Sequence, residues 1–292
     1  VAAHVLVFGC DLTLLPMLEN VGPYVDRIYL AYSKVPWTYN REARALYTNP
    51  TDLALIEQSP FRKKIEVIEG TWETEEAQRN ACLTRARAAG FEFLLCADAD
   101  EFYHEDDYSG LLAELGRDRQ NDVFIAHYLN FWKRMDTIIE AWDGSTQTGH
   151  GVFAVRCREG LDFRKCRSTD STLVRVVDAP CYHLGYVMSD DDMKRKLATW
   201  GHTNDFDRDW WFKFKWLGWR LGTRNVHPCY PTLWHRTRLL EGKVPATLRL
   251  VQAPENRSAQ LGFSDRLAER LYDLRHEWHT RLRSLKKALL RR

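Results

Sequence analysis

A chain of 292 residues is long enough for one large domain, or a domain and a half, with a sizeable core. Its 42 Lys and Arg against 40 Asp and Glu leave a net charge of +2, so no global charge calls for a nucleic-acid or membrane partner. No apolar run reaches the ~20 residues of a membrane span, and seven cysteines with no Cys-x-x-Cys argue against a structural zinc site and fit a reducing compartment.

The chain enters a strand almost at once. Val1-Ala2-Ala3 is no secretory signal, so a cytoplasmic location is expected. His4–Gly9 reads as a buried strand with its turn at Gly9 and Asp11. Leu12–Val21 carries apolar residues at helical spacing around Pro16, and Arg27–Tyr32 is a second strand. A polar loop through Lys34, Pro36 and Trp37 leads to a helical stretch near Arg41–Tyr47, and Lys64–Glu69 is a third strand. Thr74 is placed to cap a helix whose first turn holds Glu75 and Glu76, and Gly90 to stop it. Phe91–Cys96 is an apolar run of strand length that ends in Asp98, Asp100 and Glu101. Asp106–Leu115 reads as another helix and Asp122–Trp132 as a longer strand. Strands and helices that alternate this closely predict βαβ crossovers and a mainly parallel sheet flanked by helices.

Beyond residue 133 the rhythm changes. Gly144–Gly151 reads as a polar loop, and Val152–Arg156, Leu173–Val177 and Cys181–Val187 as short strands, an antiparallel addition suited to holding an acceptor. Ser189 and Asp190-Asp191-Asp192 are placed to cap a basic helix over Met193–Trp200. Five of the eleven tryptophans follow between 200 and 219, as core packing or as platforms for sugar rings. A last helix over 265–292 carries one apolar row: Leu267, Leu271, Leu274, Trp278, Leu282, Leu285 and Leu289. From Trp278 onward it holds six Lys or Arg and no acid, which suits an anionic membrane surface and, less well, nucleic acid. The expected organisation is 1–132, 133–240 as the second half of the same domain, and 241–292 as a helical extension.

Chemistry is expected where the fourth strand ends. Side chains two apart on a strand leave from one face, so Asp98 and Asp100 form an oxygen-rich pair suited to a hard divalent cation. Three other Asp-x-Asp matches occur, at 190/192, 205/207 and 207/209, and none follows a buried strand.

Gln78-Arg79-Asn80 in the helix before this strand, then Gly90, the apolar run and Asp98-Ala99-Asp100-Glu101-Phe102, resemble family-2 glycosyltransferases of the GT-A fold, most specifically over residues 75–102. The resemblance implies a GT-A, Rossmann-like α/β sheet. It implies transfer of a sugar from a nucleotide-sugar donor to a hydroxyl of a glycan or glycolipid acceptor, with Mn²⁺ or Mg²⁺ as cofactor. It implies that Asp98 meets the donor ribose or bound water, that Asp100 ligates the metal, and that Arg79 and Asn80 line the nucleotide pocket. Asp11 and Ser33 end the first two strands where such enzymes build the base and ribose site. His183 is placed to be a third metal ligand or a phosphate binder, and Trp234 in Leu233-Trp234-His235-Arg236 to close over the diphosphate. A catalytic base is expected among Asp190, Asp191 and Asp192, with Asp191 favoured. The same residues fit two other readings, a sugar transferase acting on nucleic acid and a sugar- or nucleotide-binding module without turnover. A nucleotidyltransferase would need a Gly-rich phosphate loop after the first strand, which Gly9-Cys10-Asp11 does not supply.

Overall fold

The computed structural model describes residues 1–39, 41–200, 203–230 and 234–289 and, within the last helix, the side chains of 263–275, 277, 278 and 282. The first half alternates as its pattern predicts: β1 (Ala2–Val7), α1 (Asp11–Val21), β2 (Arg27–Ser33), α2 (Arg41–Leu46), β3 (Ile65–Gly70), α3 (Glu75–Ala88) and β4 (Phe93–Cys96). The strands lie parallel in the order β3-β2-β1-β4. β4 is buried at all four positions, the mark of a strand covered on both faces. Phe93 and Leu95 pack with Leu14, Met17 and Leu18 of α1 on one side, while Leu94 and Cys96 pack with Cys82, Leu83 and Ala86 of α3 on the other. Thr74 Oγ1 accepts a hydrogen bond from the Ala77 amide at 3.3 Å and caps α3, a bond worth about 1 kcal/mol.

The second half extends the same sheet with strands of mixed polarity. β5 (Glu101–Phe102), α4 (Glu105–Arg117), β6 (Val123–Trp132), β7 (Arg134–Ala141) and β8 (Gln147–Arg156) follow in sequence. β8 inserts antiparallel between β4 and β6, so the sheet runs without a break through both halves. β9 (Phe163–Lys165) and β10 (Ser168–Thr169) form a small hairpin, and β11 (Val174–Val176) and β12 (Cys181–His183) pair parallel with β6. α5 (Asp190–Thr199), α6 (Arg208–Trp211), β13 (Trp234–Leu239) and α7 (Phe263–Leu289) complete the chain. The architecture is a mixed α/β sheet flanked by helices with short antiparallel additions, consistent with a GT-A-like Rossmann fold.

Two expectations need correction. Residues 147–151, read as loop on their Gly and Thr content, are strand; Gly149 sits at φ 108°, which only glycine adopts freely. The strand begun at Cys181 stops at His183, and Gly185 to Val187 run as a turn. Of the tryptophans, Trp211 and Trp216 are core, packed with Trp132, Tyr186, Met193, Leu197 and Trp234.

α7 is mounted in an unusual sense. Lys213 pairs with Asp265 at 2.9 Å, and the fully buried Lys215 donates to Asp273 at 2.8 Å and Glu269 at 3.3 Å. Asn225 donates to Glu277 at 3.3 Å. The acids at every fourth position thus face the body, and the apolar row faces water. Among the described residues no helix is long and apolar enough to cross a membrane.

Candidate active site

A cleft of about 650 Å³ opens at the carboxyl ends of β1, β2 and β4, the place where open α/β sheets bind ligands and a size that suits a small-molecule substrate. Asn49 holds the strand tips together. Its amide donates to the Val7 and Ser33 carbonyls at 2.7 and 2.8 Å, and its oxygen accepts from the amides of Gly9 and Thr51 at 3.2 and 3.0 Å. Thr51 Oγ1 accepts from the Gly9 and Cys10 amides at 2.8 and 3.2 Å. The first loop therefore spends its backbone donors inside the protein.

Asp98 lies at the cleft floor between two arginines. Arg79, 1 % exposed, grips it as a fork with Nη1–Oδ1 at 3.0 Å and Nη2–Oδ2 at 2.7 Å, while its Nε donates to Glu75 at 2.9 Å. Arg167 reaches Asp98 Oδ2 at 3.3 Å and also binds both oxygens of Glu101, the Tyr128 hydroxyl and the Cys96 and Val152 carbonyls. Burial works against the Asp98 carboxylate, but Arg79 and then Arg167 overcome it and hold its pKa well below the usual range. Tyr128 gets there because Gly151 has no side chain: a Cβ at 151 would sit 1.7 Å from the tyrosine oxygen.

Asp100 escapes this network. Its Oδ2 lies 3.6 Å from His183 Nε2, and His183 Nδ1 meets Asn130 Oδ1 at 2.6 Å. Asn130 Oδ1 accepts from Nδ1 and so orients the ring with Nε2 toward Asp100, the way an outer-shell partner orients a ligating imidazole. Gly185 leaves this pair uncovered, since a Cβ there would lie 2.7 Å from Nε2 and 3.4 Å from Oδ2. Burial opposes the Asp100 carboxylate, but His183 outweighs it and its pKa falls below the ordinary value. Lys196, half-buried, donates to the Gly185 carbonyl at 2.7 Å; burial lowers its pKa against the pull of Asp100 and Asp98.

A divalent metal fits this corner only in part. Asp98 has both oxygens on arginines, and among the described residues no cluster of three His, Cys, Asp or Glu can hold a metal. Asp100 and His183 are two donors, which suits an ion that takes its remaining ligands from water and a bound phosphate.

The other expected residues divide between cleft and scaffold. Asp11, Ser33 and Trp234 line the cleft. Asp11 accepts from the Asp52 amide at 3.0 Å, Ser33 Oγ donates to the Val35 carbonyl at 2.7 Å, and Trp234 packs edge-on to Tyr186 and His227. Asn80 points elsewhere, exchanging two 2.9 Å hydrogen bonds with the backbone of Phe163. Ser189 caps α5 by accepting from the Asp192 amide at 3.1 Å. Asp190 is committed to Trp216 Nε1 at 2.8 Å and the Arg257 amide at 3.1 Å. Asp191 has a side chain 92 % exposed and lies outside the cleft. Asp192 lines the cleft, bound to Arg195 and to Ser189 Oγ. His235 stacks edge-on to Trp142 and Arg236 pairs with Glu140, away from the cleft, while Leu233 lies outside the described residues.

Sequence reading missed Arg167, Arg195 and Lys196, which all line the cleft. The spacing of Arg195 and Lys196 on a predicted helix was visible, but not that this helix turns its basic side toward the Asp98 strand.

No protein-family model and no curated protein matches the chain. Solved structures overlay on it loosely. A 4-diphosphocytidyl-2C-methyl-D-erythritol synthase from Anaerococcus prevotii shares 15 % identity over 61 % of this chain and 86 % of its own, with a TM-score of 0.35. An inositol-1-phosphate CTP transferase from T. maritima shares 14 % over 63 % and 88 %, with a TM-score of 0.34. A mannose-1-phosphate geranyltransferase from Thermus thermophilus shares 16 % over 54 % and 50 %, with a TM-score of 0.29. Overlaps this loose leave the reaction to be argued from the cleft.

Proposed function

We propose that the chain is a metal-dependent glycosyltransferase that takes a nucleotide-sugar donor and passes the sugar to a hydroxyl of a glycan or glycolipid acceptor. The observation that carries this reading is Asp100 with His183, uncovered at Gly185, in a cleft that also presents Arg195 and Lys196. Two protein ligands and the nearby Lys196 ammonium suit a diphosphate, which supplies oxygens to a metal and needs positive charge as the sugar leaves. Mn²⁺ or Mg²⁺ held there would act as a Lewis acid on the leaving diphosphate. Asp98 stays anionic between its arginines and is suited to accept from a ribose hydroxyl. Trp37, at the rim with its Nε1 held by Gln78 at 2.9 Å, offers a flat face for a base.

Of the three acids at the start of α5, Asp192 is the one that lines the cleft, and we assign it the role of base for the acceptor hydroxyl. The hydroxyl oxygen would attack the anomeric carbon from the face opposite the diphosphate, its proton passing to the Asp192 carboxylate as the C–O bond to phosphate breaks, with inversion. A nucleotidyltransferase reading is less well supported, because the Gly9 and Cys10 amides that would cradle a triphosphate are already bonded to Asn49 and Thr51.

The test is release of nucleoside diphosphate from UDP-, GDP- and dTDP-sugars with Mn²⁺, Mg²⁺ or EDTA. One donor should be slowly hydrolysed, with the activity lost in EDTA. Donor binding without release would leave a binding module, and neither binding nor release would end the reading. Once an acceptor is found, Asp192→Asn should cut transfer about 10²–10⁴-fold and Asp191→Asn by less than about twofold, as for exposed sites. The reverse order would return the base to Asp191.

A further inference from the structure

α7 shows water the face that a helix usually hides. Phe263 is 86 % exposed, Leu267 48 %, Leu271 58 %, Leu274 55 %, Trp278 63 % and Leu282 44 %. This row continues over five turns and has no counterpart elsewhere on the described surface. Ordinary packing would bury it and leave the acids at 265, 269, 273 and 277 in solvent. Here those acids are taken by Lys213, Lys215 and Asn225, so the helix is fixed to the body through its polar side.

The charges bordering the row select what covers it. At 3.6 residues per turn, Arg270 and Arg275 fall on opposite borders of the apolar row, and both are exposed. Residues 279–292 add six Lys or Arg and no acid. A second copy laid stripe to stripe would set arginine borders against each other, and the spacing 267-271-274-278-282 departs from a heptad repeat. An anionic lipid surface meets the same borders with opposite charge. A large aromatic such as Trp278 also suits the level of the headgroups.

We propose that α7 lies in the surface of an anionic membrane, with its apolar row below the headgroups and its acid row clamped to the body. This goes beyond the proposed reaction and does not depend on it. The helix is held at a fixed angle by Lys215, so the body is oriented as well as tethered.

The experiment is flotation of the full chain with vesicles of phosphatidylcholine alone or with about 30 % phosphatidylglycerol, at low and high salt. The chain should float with the anionic vesicles at low salt and stay behind with the neutral ones. Leu271→Gln/Leu274→Gln/Trp278→Gln changes only exposed positions. It should lower the bound fraction at least about tenfold while leaving urea unfolding and donor binding unchanged. Arg270→Gln/Arg275→Gln should lose about threefold at low salt and nothing at high salt. Failure of the parent chain to float with anionic vesicles would overturn the proposal, as would equal flotation of the triple variant. So would a dimer by light scattering that the triple variant dissolves without any vesicle binding. Donor release is read separately, so loss of one result leaves the other standing.

Discussion

Two buried cation networks in this molecule use the same physics to different ends. Under α7, Lys215 spends its ammonium on Glu269, Asp273 and the Arg224 carbonyl, and no donor is left over. At the cleft floor, Arg79 and Arg167 take up Glu75, Asp98 and Glu101 with five-donor forks. Yet the Asp100 side chain, between Asp98 and Glu101 in sequence, lies outside that network and among the described residues pairs with His183. Burial raises the pKa of Asp273 in spite of Lys215, whereas at Asp98 the two arginines prevail over burial and lower it. The first network closes a joint. The second neutralises its own acids and leaves the adjacent carboxylate with capacity for a ligand.

The sharpest way to break this contrast is to exchange the roles. Asp100→Asn should lower metal-dependent donor turnover about 10²–10³-fold with an unchanged urea midpoint, while Glu269→Gln should shift the midpoint and leave turnover per folded molecule alone. Loss of stability in the first variant would mean that Asp100 belongs to the scaffold. Next in size, Lys215→Met leaves Asp273 without its cation, and Glu269 with Arg266 alone, and should cost about 3–5 kcal/mol in urea unfolding. A cost near zero would show that water reaches them.

A smaller effect separates the two networks by pH. Asp98 has a depressed folded pKa, so its contribution is present above its unfolded pKa of about 3.9 and is lost as pH falls through the folded value. The stability gap between parent and Asp98→Asn should therefore be wide at neutral pH and narrow in acid. Asp273 has a raised folded pKa, so its contribution is present below about 3.9 and is lost as pH rises through the folded value. Asp273→Asn should gain on the parent as pH rises over that window. Parallel slopes for the two variants would erase the distinction.

The smallest expected effect tests the joint beside Trp216. Lys133 donates to the Trp216 carbonyl at 2.9 Å, and burial draws its pKa down to about 8, against the pull of Asp190. Between that value and about 10.4 the unfolded chain holds the extra proton, so the parent should gain on Lys133→Met as pH rises through this range. A gap independent of pH would mean that Lys133 keeps its proton in the fold.

The parallel half was legible because each signal there is local. β4 ends in its acids, Thr74 caps α3, and apolar runs of strand length alternate with helical ones. The site was legible only where it lies on those strand ends. Arg167 comes from a hairpin turn, Lys-Cys-Arg-Ser, with no periodicity to mark it, and it meets partners 66 and 69 residues earlier. Asn49 and Thr51 reach back to the first loop in the same way. The acids of α5 were visible as a group, but which one faces the cleft depends on the helix's rotation against Trp216. The first half of β8 was hidden because Gly149 and Gly151 write a turn signal into a strand whose glycines serve packing, while Val152–Arg156 was legible.

Gly151 is not part of the cleft lining and bears no charge, yet the electrostatics of the cleft pass through it. A single methyl at that position would evict the Tyr128 phenol, which bonds to both Glu101 and Arg167 beside their direct ion pair. With that brace gone, the second counter-charge of Asp98 would lose one of its anchors, and the balance that spares Asp100 would drift. Tolerance to substitution on this strand should therefore be lowest where the residue is smallest. A variant there would present as a binding defect although it lies outside the binding surface.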